Sequence, residues 1–390
     1  MGRATIYLDN NATTRPLPEV AEAVQRSLVE HWHNPSSIHR PGQSVRQQVE
    51  LARQSLAKLV GVRPREVIFT SGATESIDLA IRGVLAAAPE SRRTIVTTRI
   101  EHEAVRDLCE SLGVSGVTVR HAPLLAGGIV DSDGLEEMLD ESVALVSVQW
   151  ANNETGSIQP VERIGEACRA RKIAFHCDGS QWVGKMPTDL GSTPIDLLSL
   201  SGHKFHAPKG IGALIVRPGV RIRPVLRGVQ EQERRGGTEN VPGILGLGAA
   251  AESAAAWLEE TGERQRLGVL RDRFERLVLD AIPDAVVNGP EDPALRLWNT
   301  TNIGFPGLES EALLLLLSER GVCASAGAAC SSGSLDPSPV LLAMGVAEPT
   351  AHGSLRFSLS RETSENEIEG GAQAVIDCVA RLRRSATSLA

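Results

Sequence analysis

Between Val67 and Val216 short apolar runs alternate with amphipathic helical patterns, and this rhythm restricts the fold more than any other feature of the chain. The runs that read as strands are Val67 to Thr70, Thr94 to Thr98, Val117 to Arg120, Ala144 to Trp150, Ile173 to His176, Leu197 to Leu200 and Gly212 to Val216. Between most of them apolar residues recur at three- and four-residue spacing, as in Val105, Leu108, Cys109, Leu112 and again in Ile164, Ala167, Cys168. Repeated units of this kind imply an α/β fold with a mostly parallel sheet covered on both faces. Ligands of such sheets bind beyond the carboxyl ends of the strands. The polar strings TSGATES, IEHEAV, ANNETG, CDGSQ and SGHK each follow a strand, so they are expected to converge on one crevice.

The flanks add helices and a second unit. Val45, Val49, Ala52, Leu56 and Leu59 predict a helix that stops at Gly61, a C′ glycine. An Ala/Gly-rich helix is expected from Pro242 to about Glu260. After Gly262 a smaller domain is expected, with a helix from Leu267 to Ala281, a strand from Asn299 to Phe305, a helix from Glu309 to Arg320, a Ser/Gly/Ala-rich loop and a strand from Ser354 to Leu359. With 390 residues the chain is long enough for two domains. Forty basic residues against 48 acidic ones give a net charge of -8, which offers no footprint for nucleic acid. No apolar run approaches the roughly 20 residues of a membrane helix, and the leucine run after Glu311 reads as a buried helix. The segment MGRATIYLDNN lacks a signal pattern, and Ile6 occupies the Ser/Thr position of a myristoylation motif. Six cysteines form no CxxC and no zinc spacing, so no metal site is expected; reduced thiols in a cytoplasm are. Cys109, Cys168 and Cys378 fall in helical patterns as core filler.

Lys204 carries the chemistry. It stands in SLSGHKFHAPKG, where a strand delivers it to a small polar turn, and Asp178 ends the preceding strand in AFHCDGSQ. A lysine able to form a Schiff base, with an aspartate to hold a pyridine nitrogen protonated, is the arrangement that pyridoxal 5′-phosphate requires. A lone lysine would read as a solvated surface group; the paired aspartate and the Ser201–His203 turn favour the cofactor. Gly72, Ala73 and Thr74 open a helix whose amides suit a phosphate, with Ser201 and His203 as further donors; a simple capped turn is the plainer alternative. His102 at a strand end suits stacking on a flat ring and proton exchange with substrate, or else mere capping. Asn153 and Gln181 are candidate contacts to cofactor or substrate. Cys330 lies among small and acidic residues with no apolar anchor, so its loop is expected to be mobile and its thiol to serve as a nucleophile. Cys323, beside Val322, is expected to be packed; a disulfide between the two is disfavoured by the compartment.

Taken together, YLDNNATT, NPSSIHRPG, FTSGATES, EHEAV, ANNETGSIQPV, SGHKFHAPKG, GGTENV, the Cys330 loop and RFSLSRETSENEI resemble the cysteine desulfurases of the NifS/IscS type, within the class V aminotransferase-like enzymes of fold type I. The resemblance implies a large cofactor-binding domain over residues 15–260 and a smaller α+β domain formed by residues 1–14 and 261–390, which carries the cysteine loop. It implies that Lys204 is the Schiff-base lysine, His102 the residue over the ring and Asp178 the partner of the ring nitrogen. Thr74, Ser201 and His203 match phosphate ligands, Asn153 and Gln181 cofactor or substrate contacts, and Thr238 a phosphate ligand given by a neighbouring subunit of a homodimer; Ala73, beside Thr74, is a further cofactor contact. Arg356 matches the clamp on the substrate carboxylate and Cys330 the persulfide-forming nucleophile. The implied reaction turns L-cysteine into L-alanine and passes sulfur to an acceptor protein such as an iron–sulfur scaffold; a selenocysteine lyase, a transaminase and a non-catalytic binding protein are the rivals. Three departures stand out. Asp178-Gly-Ser-Gln181 replaces Asp-Ala-x-Gln; Val229, Gln232 and Glu233 replace a glycine, a basic residue and a glycine; and Ala326-Gly-Ala328 lacks two serine hydroxyls.

Overall fold

The computed structural model describes residues 5–327 and 336–387, with side chains to residue 385. Its centre is a seven-stranded sheet made of β1 (Val67–Thr70), β2 (Thr94–Thr97), β3 (Thr118–His121), β4 (Val143–Gln149), β5 (Ala174–Asp178), β6 (Leu197–Ser201) and β7 (Gly212–Val216). The order across the sheet is β1-β7-β6-β5-β4-β2-β3. All neighbouring pairs are parallel except those of β7, which runs antiparallel to both β6 and β1. The alternation of strands and helices predicts the parallel part but not the reversed strand. Its cause is the connection: residues 202–211 hold only a short turn, too little for a crossover helix, so the chain doubles back. The reversal brings Gly212 beside Ser201 and Thr70, at the same edge where β4 and β5 end in Gln149 and Asp178.

Helices cover both faces. On one side lie α1 (Pro18–Glu30), α2 (Arg40–Leu59), α5 (Val161–Ala170) and α6 (Val241–Glu259); α3 (Ala73–Ala87) and α4 (Glu103–Val114) lie on the other. The apolar positions expected in α2 are buried, and the chain turns away at Gly61 with a φ of 68°, where a Cβ would strike the Asp189 carboxylate. Helix α6 departs from expectation. Its 19 residues are apolar enough, by length and composition, to cross a membrane. Here it packs against α1 and α2, and Gly248 lets it approach so closely that a Cβ would sit 2.7 Å from that of Ala52.

A second apolar cluster joins α7 (Glu263–Ala281), α8 (Ser310–Glu319) and α9 (Glu365–Thr387) to a four-stranded antiparallel sheet. Its strands are β8 (Val286–Val287), β9 (Thr300–Gly304), β10 (Ser325–Ala326) and β11 (Ser354–Ser358), in the order β8-β9-β11-β10. The leucine run of α8 is buried on one side only: Leu313 and Leu317 are inside, while Leu315 is largely exposed. Ile6–Tyr7 pairs in parallel with Val322–Cys323, so the first described segment is built into this cluster. Cys109, Cys168 and Cys378 are buried, as expected of filler.

Within the large sheet His176 sits fully buried on β5 between Ser147 of β4 (2.8 Å) and Ser199 of β6 (2.9 Å). Burial drives its pKa down to about 4, against a mild upward pull from Asp178. A lowered histidine stabilises the fold above its unfolded value near 6.5, and that stability is lost as pH falls towards the folded value. Denaturant titrations are therefore expected to show stability dropping between about pH 6.5 and 4. His176→Asn should flatten that slope by up to about 1.4 kcal/mol per pH unit, whatever its effect at neutral pH.

Candidate active site

The loops after β1, β2, β4, β5 and β6 enclose one cavity of about 450 Å³ at the carboxyl ends of these strands. Ala73, Thr74, His102, Asn153, Asp178, Gln181, Ser201, His203 and Lys204 all line it, so the expected convergence is met. Two predicted residues stand apart. Thr238 is exposed and lies outside this cavity, and Arg356 adjoins it from the smaller sheet. Cys330 lies outside the described residues, as does its possible pairing with Cys323.

Lys204 ends a short turn after β6, and its Nζ donates to the carbonyl oxygens of Asn11 (2.6 Å) and Ala12 (2.9 Å). Asp178 is 6% exposed, and its Oδ1 accepts from the Ser180 amide (3.0 Å) and hydroxyl (2.6 Å). His102 both caps and lines the cavity. Its Nδ1 accepts the Ala104 amide at 3.1 Å, which places the proton of the neutral ring on Nε2. Burial lowers the His102 pKa despite the pull of Asp178, so neutral is its resting form. His203 is pushed down to about 4, first by burial and then by Lys204, Lys209 and Lys185. It is a hydrogen-bonding group, not a cation, at neutral pH.

The amino end of α3 has the geometry an anion needs. Its first-turn amides lack intrahelical acceptors, and Gly212 lets β7 approach Gly72, where a Cβ would meet the Gly72 backbone at 2.7 Å. Glu75 in that turn takes the Ser71 amide (2.7 Å) and is held by Arg235 through two bonds of 2.7 and 3.2 Å. Burial works against its charge, but those hydrogen bonds win and its pKa is lowered.

Arg356 is 2% exposed on β11. Nη2 donates to Asp9 (2.8 Å) and Nη1 to the Asn153 carbonyl (3.2 Å), while Nε and the neighbouring Asn153 Oδ1 have no partner among the described residues. Two of the five guanidinium N–H groups are thus engaged by the protein itself, and Nε–H and the second hydrogen of each Nη are donors left over among the described residues.

The chain matches the class-V aminotransferase family model over residues 6–370. The chain belongs to the class-V aminotransferases. Within the family it is 49% identical over 381 residues to a cysteine desulfurase of Trichormus azollae, covering 97% of this chain and 94% of that one. It is 47% identical over 382 residues to the cysteine desulfurase NifS of Azotobacter vinelandii, with the same coverage. A solved NifS-like protein superposes with a TM-score of 0.89 at 36% identity, over 96% of this chain and 99% of the other. Pyridoxal phosphate is the cofactor of this family, and the class-V cavity here fits it. Its size, the α3 amides beside Ser201 and a neutral His203, the buried Asp178 carboxylate and the unpartnered Asn153 Oδ1 supply a donor and acceptor set of the required kinds.

Several residues that matter here escape a sequence reading. Asn11 is a buried hub whose carbonyl receives Lys204 and Gln181 and whose side chain receives Lys185 and Asn299. Glu101 is fully buried, and burial, reinforced by Asp178, drives its pKa up to about 8 against hydrogen bonds from Thr98 and Gln149. Held protonated, it leaves Asp178 without a second negative charge beside it. Only the motifs YLDNN and IEHEAV marked these positions, without roles.

The altered stretch after Gly228 has a definite shape. Glu231, Gln232 and Glu233 take φ values of 45°, 57° and 62°, three consecutive left-handed residues without a glycine. Glu231 is pinned by Arg53 through bonds of 2.7 and 2.8 Å and by the Phe69 amide at 2.8 Å. Glu233, standing where the family pattern has glycine, is exposed and bears its φ with no such anchor among the described residues. Glu233→Gly should therefore stabilise the protein by up to about 1 kcal/mol, read as a rise of roughly 1–2 °C in Tm.

Proposed function

We propose that this protein is a pyridoxal phosphate-dependent cysteine desulfurase that converts L-cysteine to L-alanine and stores the sulfur as a persulfide on Cys330. The observation that supports it most is the meeting of Lys204, Asp178 and His102 in one cavity, with Arg356 adjoining through Asn153. The cofactor, when bound, supplies an electron sink for the carbanion. The remaining work falls to the chain. Lys204 anchors the cofactor and, once released, takes the Cα proton. The carbonyls of Asn11 and Ala12 that now receive its Nζ offer a place for the protonated amine. Arg356 and Asn153 hold the substrate carboxylate, and His102, neutral with its proton on Nε2, is a donor to the substrate. The Cys330 thiolate attacks the substrate sulfur: an S–S bond forms, the Cβ–S bond breaks, and the carbon skeleton takes up protons to leave as alanine. Burial raises the pKa of each described thiol, Cys109, Cys168, Cys177, Cys323 and Cys378, so none of these is prepared as a nucleophile.

The domain division at residues 15–260 is part of the same reading, with residues 1–14 and 261–390 forming the smaller domain. So is a homodimer in the cytoplasm. The exposure of Thr238 supports its service to a neighbouring copy, and an iron–sulfur scaffold protein is the acceptor in mind.

Borohydride reduction of the yellow holoenzyme followed by peptide mapping tests the core of this proposal. The cofactor should be found on Lys204, and Lys204→Ala should lose the link; a link that persists in that variant refutes the assignment. Cys330→Ala should bind cofactor and cysteine but release sulfide and alanine near background. Mass spectrometry of the wild type after one turnover without reductant should find one added sulfur on the Cys330 peptide, and the same mass on Cys323 or Cys177 would overturn it.

For substrate grip, Arg356→Ala is expected to raise the cysteine KM by about 30-fold or more, since a charge-assisted bond contributes on the order of 2 kcal/mol. Arg356→Lys should recover part of this, because an ammonium reaches the carboxylate but cannot present a fork. Equal KM values across all three proteins would remove Arg356 from the substrate site.

A further inference from the structure

Lys185 is a second lysine at the site, and its setting is unusual. It is 5% exposed, and its Nζ donates to Gln181 Oε1 (2.5 Å) and Asn11 Oδ1 (2.9 Å). Among the described residues no carboxylate lies within ion-pair distance of it. The charges that act on it, from the turn after β6 and from β11, are Lys204 and Arg356, both positive; His203 and His206 also feel it, and both are shifted towards neutrality. A buried ammonium with two amide acceptors would leave one N–H unmatched and its charge uncompensated. A neutral amine has two N–H groups, and both are matched. Burial, then Lys204 and Arg356, drive its pKa well down, in agreement with that geometry.

The two acceptors matter because each leads back to Lys204. With Oε1 fixed on Lys185, Gln181 turns its Nε2 to the Asn11 carbonyl (3.1 Å), the oxygen that also receives Lys204 Nζ. With Oδ1 fixed by Lys185 and by Asn299 (3.0 Å), Asn11 turns its Nδ2 to the Asn153 carbonyl (3.1 Å) and Thr300 (2.9 Å). Resting on the functional reading above, we propose that Lys185 is a positioning residue, an uncharged amine that sets the amide orientations of Gln181 and Asn11 and thereby fixes the carbonyl that receives Lys204. It does not itself line the cavity but lies behind Gln181, which does, and on this reading it does not touch the reacting atoms. Its neutrality keeps a further positive charge out of the field of Lys204.

The test follows the visible absorbance of the holoenzyme against pH, which reports the proton on the lysine–cofactor linkage. Lys185→Arg puts a permanent cation in place and should lower that midpoint by about one pH unit or more. Lys185→Met should leave it within about 0.3 units, because no charge has been removed. The same variant should lower kcat about tenfold with little change in KM, because Gln181 and Asn11 lose the donor that orients them. A midpoint that rises in Lys185→Met and stays put in Lys185→Arg means that Lys185 is charged, and overturns the inference. An unchanged kcat in Lys185→Met overturns the positioning role. Should either variant fail to take up cofactor, ¹⁵N NMR of the lysine side chains in the wild-type holoenzyme decides: a neutral-amine signal for Lys185 upholds the inference and an ammonium signal refutes it. Peptide mapping of the borohydride-reduced wild type keeps the two questions apart. Cofactor found away from Lys204 refutes the functional assignment, whereas cofactor on Lys204 with a charged Lys185 refutes this inference alone.

Discussion

Asn11 is the point on which the site depends. It is 1% exposed, and every polar atom it owns is engaged: its amide meets the Ser358 hydroxyl at 2.9 Å, its carbonyl receives Lys204 and Gln181, and its side chain bridges Lys185, Asn299, Asn153 and Thr300. Ser358 and Thr300 come from the smaller sheet, and Lys204, Gln181, Lys185 and Asn153 from loops that follow strands of the large one. A single small amide can do this because its donor and acceptor ends are distinct and the backbone adds a third and fourth contact. Removing it would leave several buried polar groups unmatched at once, each costing on the order of 1–3 kcal/mol.

The electrostatics of the cavity follow from burial more than from pairing. His102 and His203 are held neutral, Glu101 is held protonated, and Glu75, which lines the cavity, is kept charged by hydrogen bonds from Arg235 and Ser71. The site therefore concentrates hydrogen-bonding groups, and Lys204 and Lys209 are the lysines that line it, with Asp178 and Glu75 as the carboxylates. In a water-poor cavity such charges interact strongly, so fewer of them are needed.

Much of this was legible in the sequence, and the reasons are local. Asp178 ends a strand and Lys204 and His102 follow strands within a few residues, so a parallel sheet brings them to one edge whatever the details of packing. Asn11, Lys185 and Glu101 gave no such signal, because their roles come from contacts made across the fold; Asn11 and Lys204 are 193 residues apart in the chain. The reversal of β7 was hidden for a related reason: periodicity marks a strand but not its direction, and only the length of the preceding connection decides it. The turn at Glu231–Glu233 could be seen as a departure from a glycine-rich pattern. Its left-handed form could not, since the contact that holds Glu231 comes from Arg53, 178 residues away, and the conformation runs against the ordinary preference of such side chains.

The first described strand has a consequence for how the protein comes into being. Ile6–Tyr7 finds its pairing partner at Val322–Cys323, and Asn10 and Asn11 are tied to Ser358. During synthesis the segment that cradles Lys204 is made before Val322–Cys323 and Ser358 and must wait for them. The large sheet contains none of those late residues and can form while translation continues. The core can thus form before the cavity is complete, and a chain cut short before Val322 would lack the partners that fix the segment holding Lys204.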